Sequence, residues 1–231
     1  MSRAYLVTGT DTGIGKTLVG CALAAALSKR LRVGVLKPAE TGCPERSGEL
    51  IPDDAHRLRA AAGCELPLEI ICPFRYAEPL APWLAAERAG RPIALEHLRR
   101  CFAMLAAASD VVLVESAGGL LVPLTADYSF ADLAADLRLA LVIVVGSRLG
   151  ALNQTLLTIE VARRRGLGVA GYVLNQLGRE RDLAQSSNPA ALVRLTDVAC
   201  LGELPFIDGA DTLSRERLRE IGAPIARRLD G

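Results

Sequence analysis

Thr8-Gly9-Thr10-Asp11-Thr12-Gly13-Ile14-Gly15-Lys16-Thr17 decides how this chain is read. It follows the apolar run Tyr5-Leu6-Val7 and leads into a helical pattern, so strand, loop and helix come in that order. Three glycines let the loop curl until successive backbone N–H groups converge on oxygen atoms, and the following helix presents its positive end to an anion. Lys16 adds a mobile charge suited to β- and γ-phosphates, and the Thr17 hydroxyl suits Mg²⁺. The spacing departs from the general phosphate-loop pattern. Five residues, rather than four, separate Gly9 from Gly15.

Outward from this loop, strands alternate with helices. Val19, Leu23 and Leu27 continue the first helix, and Lys29-Arg30 suit its C-terminus. Arg32 to Lys37 reads as a buried strand; a lysine at its carboxyl end lies where open α/β sheets collect ligands. The turn-rich stretch 39–52 precedes Asp53-Asp54, which open a helix through Leu58. A brief strand is expected near Ile70-Ile71, irregular structure around Pro79 to Trp83, and a helix through Leu95, Leu98, Phe102 and Leu105.

Asp110 to Glu115 holds four consecutive aliphatic residues, the mark of a central parallel strand buried on both faces. A carboxylate at its tip is costly unless paired or bound to metal, and after a phosphate loop such an acid normally faces the nucleotide magnesium. Ser129-Phe130-Ala131-Asp132 resembles a capping box. A strand from Leu139 to Val145 follows, then a helix from Leu149 to Arg165 with Leu152, Leu156 and Ile159 inward, then a strand from Gly168 to Asn175. Residues 178–189 are polar and read as mobile. Val198 to Leu204 is a last strand, closed by Pro205; Leu218, Ile221, Ile225 and Leu229 mark a final helix that Pro224 would kink or split. This order predicts an α/β fold of P-loop NTPase type: a single doubly wound, mainly parallel sheet flanked by helices, with residues 1–231 as one domain.

Composition narrows the partners. Of 231 residues, 51% are apolar and 4% aromatic, which favours close-packed helices on a sheet over a stacking platform for bases. A formal charge of +1 offers no electrostatic case for nucleic acid or a membrane surface. Six scattered cysteines and two histidines (His56, His97) do not suggest a zinc site; reduced thiols in a cytoplasmic protein are expected. The start of the chain does not read as a secretory signal, and the longest apolar run, Leu139 to Val145, is too short to span a bilayer.

Taken together, the motifs resemble the dethiobiotin synthetase family. The loop Thr8-Gly9-Thr10-Asp11-Thr12 with Gly15-Lys16-Thr17 matches that family's own longer spacing. Lys37-Pro38 with Thr41-Gly42, Asp54-Ala55, and Glu115 with Ala117-Gly118-Gly119 recur in its order. Leu149-Gly150 with Asn153, the strand-end Asn175, and Leu201 to Pro205 extend the similarity over most of the chain. Ser116 stands where glycine is usual, and Trp83 where histidine is common.

The resemblance implies an ATP-driven ring closure. Carbon dioxide adds to one amine of 7,8-diaminononanoate, the γ-phosphate converts the carbamate to a carbamic–phosphoric anhydride, and the second amine displaces phosphate. Lys16, Lys37 and Thr12 would be catalytic, with Mg²⁺ held by Thr17, Asp54 and Glu115. Nucleotide would be bound by Gly13, Ile14, Gly15, Lys16, Thr17, Asn175 and Pro205. Substrate would meet Thr12, Lys37, Thr41 and Gly118, with its carboxylate on Leu149, Gly150 and Asn153 across a homodimer interface. Two other classes differ at named points. Switch ATPases of the chromosome-partitioning and septum-positioning type usually carry an additional lysine early in the loop, where this chain has Gly9-Thr10-Asp11. A corrinoid amidotransferase would need a further glutamine-hydrolysing domain. A GTPase is disfavoured because Asn175-Gln176-Leu177-Gly178 lacks the expected Lys and Asp.

Overall fold

A computed structural model describes residues 3–230, apart from the side chain of Asp230. The chain begins with β1 (Arg3–Gly9), α1 (Lys16–Leu27), β2 (Val33–Leu36) and β3 (Ala39–Thr41). A short hairpin of β4 (Glu45–Arg46) and β5 (Glu49–Leu50) leads to α2 (Asp53–Ala62), α3 (Leu68–Ile71) and β6 (Phe74–Tyr76). Next come α4 (Pro82–Arg88), α5 (Leu95–Ala108) and β7 (Val111–Gly119), then the hairpin β8 (Pro123–Thr125) and β9 (Tyr128–Ser129). The remainder is α6 (Phe130–Asp136), β10 (Ala140–Ser147), α7 (Ala151–Arg164), β11 (Val169–Gln176), α8 (Leu183–Leu195), β12 (Cys200–Leu204), a 3₁₀ turn at Ala210–Thr212, and α9 (Arg215–Asp230).

Six strands form the central sheet in the order β12-β11-β10-β1-β7-β2, and every neighbouring pair is parallel. Their alternation explains the unbroken apolar runs. In β10, Leu141, Ile143 and Val145 enter one core while Val142 and Val144 enter the other, so both faces are covered. One core packs beneath α1, α2 and α9, the other beneath α5, α6, α7 and α8. All six carboxyl ends lie on one side. Because β1 sits between β10 and β7, with strand order reversing around it, the loop after β1 opens at the topological switch point.

Several local expectations give way to tertiary context. Ile70-Ile71 forms the turn α3 rather than a strand: Pro67 starts that turn, and the Ile71 carbonyl accepts from Lys37 N at 2.7 Å. The short strand lies just beyond, as β6, paired with β3. Irregular structure ends at Ala81, because Pro82 takes the first helical position of α4, where its missing N–H costs nothing. Residues 178–189 are not a uniform connection. Asp182 and Gln185 form a reciprocal capping box that starts α8. In α7 the buried stripe is Ala151, Thr155, Ile159 and Ala162, while Leu152 and Leu156 are half-buried. α9 runs through Pro224 without a break. It lies so close to α1 that a Cβ on Gly222 would meet the Ala22 carbonyl oxygen at 1.9 Å. All six cysteines are free. Among the described residues, no helix is long and apolar enough to cross a membrane.

Candidate functional site

Around the carboxyl ends of β1, β2, β7 and β11 lies a cleft of about 930 Å³. Its floor is the glycine loop. Gly13 and Gly15 have φ of 71° and 88°, a region that disfavours side chains. At Gly15 space is short as well, since an added Cβ would lie 2.3 Å from Asn175 Nδ2. That amide, at the end of β11, donates to the Ile14 carbonyl at 2.9 Å and so ties the loop to a strand two places away. The Ile14 side chain points into the core at 1% exposure. The oxygens Asn175 Oδ1 and Gln176 Oε1 are buried without a partner.

Four of the expected residues meet in one ionic cluster. Thr17 Oγ1 donates to Glu115 Oε1 at 2.8 Å, and Lys37 Nζ donates to Glu115 Oε1 at 2.5 Å and to Asp54 Oδ2 at 2.8 Å. Glu115 reaches this point because β7 runs in register with β1, placing it beside Val7. Burial alone would lower the Lys37 pKa; Glu115 and Asp54 outweigh it and hold the ammonium above its ordinary value. Burial would raise Asp54, but the charge of Lys37 and the hydrogen bond it donates keep the carboxyl below the usual range. Lys16 folds back to donate to the Asp11 carbonyl at 2.8 Å. Its pKa is lowered by burial, which outweighs the upward pull of Glu115, and the positive charge of Lys37 acts in the same direction as burial.

Thr17, Asp54 and Glu115 are hard oxygen donors, and Glu115 Oε2 is buried with no hydrogen-bond partner. The set fits Mg²⁺, which takes one or two carboxylates and completes its shell with phosphate and water. No cluster of three or more His, Cys, Asp or Glu able to hold a metal occurs among the described residues. A cation here would therefore depend on ligands beyond the protein.

Thr12, Thr41 and Gly118 also line the cleft. Ser116 is fully buried; its hydroxyl donates to the Gly118 carbonyl at 2.9 Å and lies 3.2 Å from Thr8 Oγ1, whose hydrogen it can accept. β7 runs past Glu115 to Gly119, so the left-handed turn falls at Gly118 rather than Ser116. Trp83 is half-buried and stays outside the lining, although Pro79 to Pro82 belong to it.

Other expected residues lie apart. Pro205 lines a neighbouring hollow of about 290 Å³ with Gln176, Arg179 and Phe206. Leu149 is 86% exposed, Gly150 is the N-cap of α7 with φ 92°, and Asn153 borders a different groove. Within one chain these three do not reach the cleft. Three side chains in or beside it carry no role in the sequence reading. Glu40 is buried, with a pKa pushed up to about 7 by burial against the pull of Lys37 and two backbone amides. Arg57, one turn after Asp54, pairs with Asp211 at 2.6 Å. Asp11 accepts from Arg148 at 2.5 Å, holding the loop against the start of α7. Only Glu40 had a readable signal: α2 starts after Pro52, which has no side-chain acceptor to cap it.

Comparison with known proteins finds relatives along almost the whole chain. A family model described as an AAA domain matches residues 3–213. A protein named ATP-dependent dethiobiotin synthetase BioD from Anaeromyxobacter sp. (strain K) is 49% identical over 224 residues, 96% of this chain and 99% of that protein. Another of the same name, from Anaeromyxobacter dehalogenans, is 46% identical over 228 residues, 98% and 99% of the two chains. Among solved structures, the cell division ATPase MinD of Pyrococcus furiosus superposes with a TM-score of 0.64 at 18% identity, covering 100% of this chain and 99% of that one. That last likeness concerns the fold alone.

Proposed function

The chain belongs to the family of ATP-dependent dethiobiotin synthetases, and on that premise we propose how its cleft divides the work. As a member of that family it is a ligase of biotin biosynthesis that uses ATP. The observation that carries the assignment of roles is the ionic cluster, in which Lys37 stands between Glu115 and Asp54 and beside the phosphate-loop residue Thr17.

The donor half is the loop. Backbone N–H groups of Gly13 to Lys16 and the Lys16 ammonium receive the triphosphate, and Lys16 exchanges the Asp11 carbonyl for a phosphate oxygen. Asn175 Oδ1 supplies an acceptor for the exocyclic amine of adenine, with Pro205 and Phe206 beside the base. Thr17, Asp54 and Glu115 would hold Mg²⁺, which neutralises charge on the β- and γ-oxygens when bound. The acceptor half is Lys37, Thr41, Thr12 and Gly118. A carbamate and a γ-phosphate repel each other, and Lys37 faces that encounter as a permanent cation. Thr12 and Thr41 donate hydrogen bonds to the carbamate or the transferring phosphoryl oxygens. The second amine then displaces phosphate and closes the cyclic urea.

Residues 1–231 act as one catalytic domain in the cytoplasm. The substrate carboxylate docks on Leu149, Gly150 and Asn153 of a second copy, which explains why these residues stand outside the cleft of their own chain. Leu149, Leu157, Leu183, Val193 and Leu195 are exposed on α7, on α8 and at the ends of these helices, and a second copy would cover them. Sedimentation is expected to show a dimer; a fully active monomer across concentrations would remove this arrangement.

The reaction itself is tested by mass spectrometry on protein, 7,8-diaminononanoate, bicarbonate and MgATP. Dethiobiotin, ADP and phosphate are expected in equal amounts, and omitting any one component, Mg²⁺ included, should stop phosphate release. Steady ATP hydrolysis without diamine and CO₂ would instead point to a switch ATPase.

A further inference from the structure

α2 carries Asp54 in its first turn, yet it has no cap of its own. Its N-cap is Pro52, and no side chain there accepts a hydrogen bond. The opening amides of a helix have no partners within it and must find them elsewhere. Here they find them in a different element. Glu40, on β3, accepts from Asp54 N through Oε1 at 2.9 Å and from Ala55 N through Oε2 at 3.0 Å. Both oxygens are engaged, and the residue is 7% exposed.

β3 follows β2 directly through Lys37-Pro38, so the stretch that grips α2 also bears Lys37 and Thr41. Its backbone is held by pairing with β6, where Glu40 lies opposite Arg75. Lys37 N is anchored separately on the Ile71 carbonyl. The result is a closed ring. Lys37 leads along the chain to Glu40, Glu40 holds the Asp54 amide, and the Asp54 carboxylate returns to Lys37 Nζ at 2.8 Å.

We infer that Glu40 is a positioning residue, which fixes the first turn of α2 and thereby sets the Asp54 carboxylate against Lys37. The inference rests on the placement of Asp54 and Lys37 at the reacting centre. It requires a two-oxygen acceptor. Glutamine has nearly the same shape but one acceptor oxygen, so it can serve only one of the two amides. Aspartate is a methylene shorter and reaches less far from β3.

Three measurements on the full chain test this. Glu40→Ala should lower kcat about 10–100-fold, the usual cost of losing a supporting partner, with KM for ATP changed less than about threefold. Glu40→Gln, which is nearly isosteric and should fold, is expected to fall between. Hydrogen exchange, without nucleotide or metal, should quicken in the segment starting α2 in both variants and remain unchanged in the glycine loop. In an Asp54→Ala background, Glu40→Ala should alter kcat less than about threefold, because the group it positions is gone. Additive losses, or unchanged exchange at the start of α2, would overturn the inference. Full activity in Asp54→Ala alone would overturn the reacting-centre reading beneath it, a separate result.

Discussion

Lys37→Gln is expected to lower dethiobiotin formation roughly 10²–10³-fold, the scale seen when one preorganised charge donor is removed from a reacting centre. ATP should still bind, because the nucleotide is held by the glycine loop and Lys16 rather than by Lys37. The structure adds a second consequence. Lys37 is 4% exposed and pairs with two carboxylates, so its loss leaves Glu115 and Asp54 facing each other. Breaking such a buried pair costs on the order of 3 kcal/mol, partly recovered by the glutamine amide. A lower melting temperature should therefore accompany the lost rate. The signs of the two shifts set the pH range of the pair. Lys37 is raised and Asp54 lowered, so their contribution is complete from above about 4 to below about 10, the unfolded values. It is lost as pH falls through the lowered Asp54 value, or rises through the raised Lys37 value. Product formation by mass spectrometry, ATP binding by calorimetry and a melt on one preparation decide the matter. Product formation within threefold of the native rate would end the role assigned to Lys37.

Lys16→Ala should reduce turnover at least as far, by roughly 10² or more, with a different signature. Its side chain is hydrogen-bonded to its own loop, at the Asp11 carbonyl, rather than to the core or the carboxylate cluster. Removing it forfeits one hydrogen bond, about 1 kcal/mol, and leaves the sheet undisturbed. Circular dichroism and the melt should be close to native while ATP binding collapses. The two lysines thus separate by experiment: Lys37→Gln keeps ATP and loses stability, whereas Lys16→Ala keeps stability and loses ATP. Near-normal turnover in Lys16→Ala would remove the phosphate loop as the nucleotide site.

The frame of the molecule was legible because it is local. The run Val111 to Val114 is apolar throughout since both faces of a parallel strand are buried, and that pattern needs no knowledge of its neighbours. Gly13 and Gly15 mark left-handed backbone, and Asp132 three residues after Ser129 marks a cap; each is a rule about a few adjacent residues. Local rules give way where two parts of the chain compete. Ile70-Ile71 has the composition of a strand, but Pro67 and the amide of Lys37 draw it into a turn. The polarity of residues 182–188 concealed a helix whose buried members are Gln185, Asn188 and Leu192.

What the sequence determined by itself was the order of the six central strands, the glycine loop, and that Lys37, Glu115 and Asn175 lie toward the carboxyl ends of their strands. Period-two and helical patterns, with glycine and capping rules, suffice for that. What only the tertiary structure decided was which of these groups meet. Strand order β10-β1-β7-β2 brings Glu115 to Thr17 across 98 positions of chain and to Lys37 across 78. It left Leu149, Gly150 and Asn153 outside the same chain's cleft, and it put Glu40 under the first turn of α2. Hydrogen bonds and ion pairs act within a few ångströms, and separation along the chain says nothing about separation in space until the sheet is ordered.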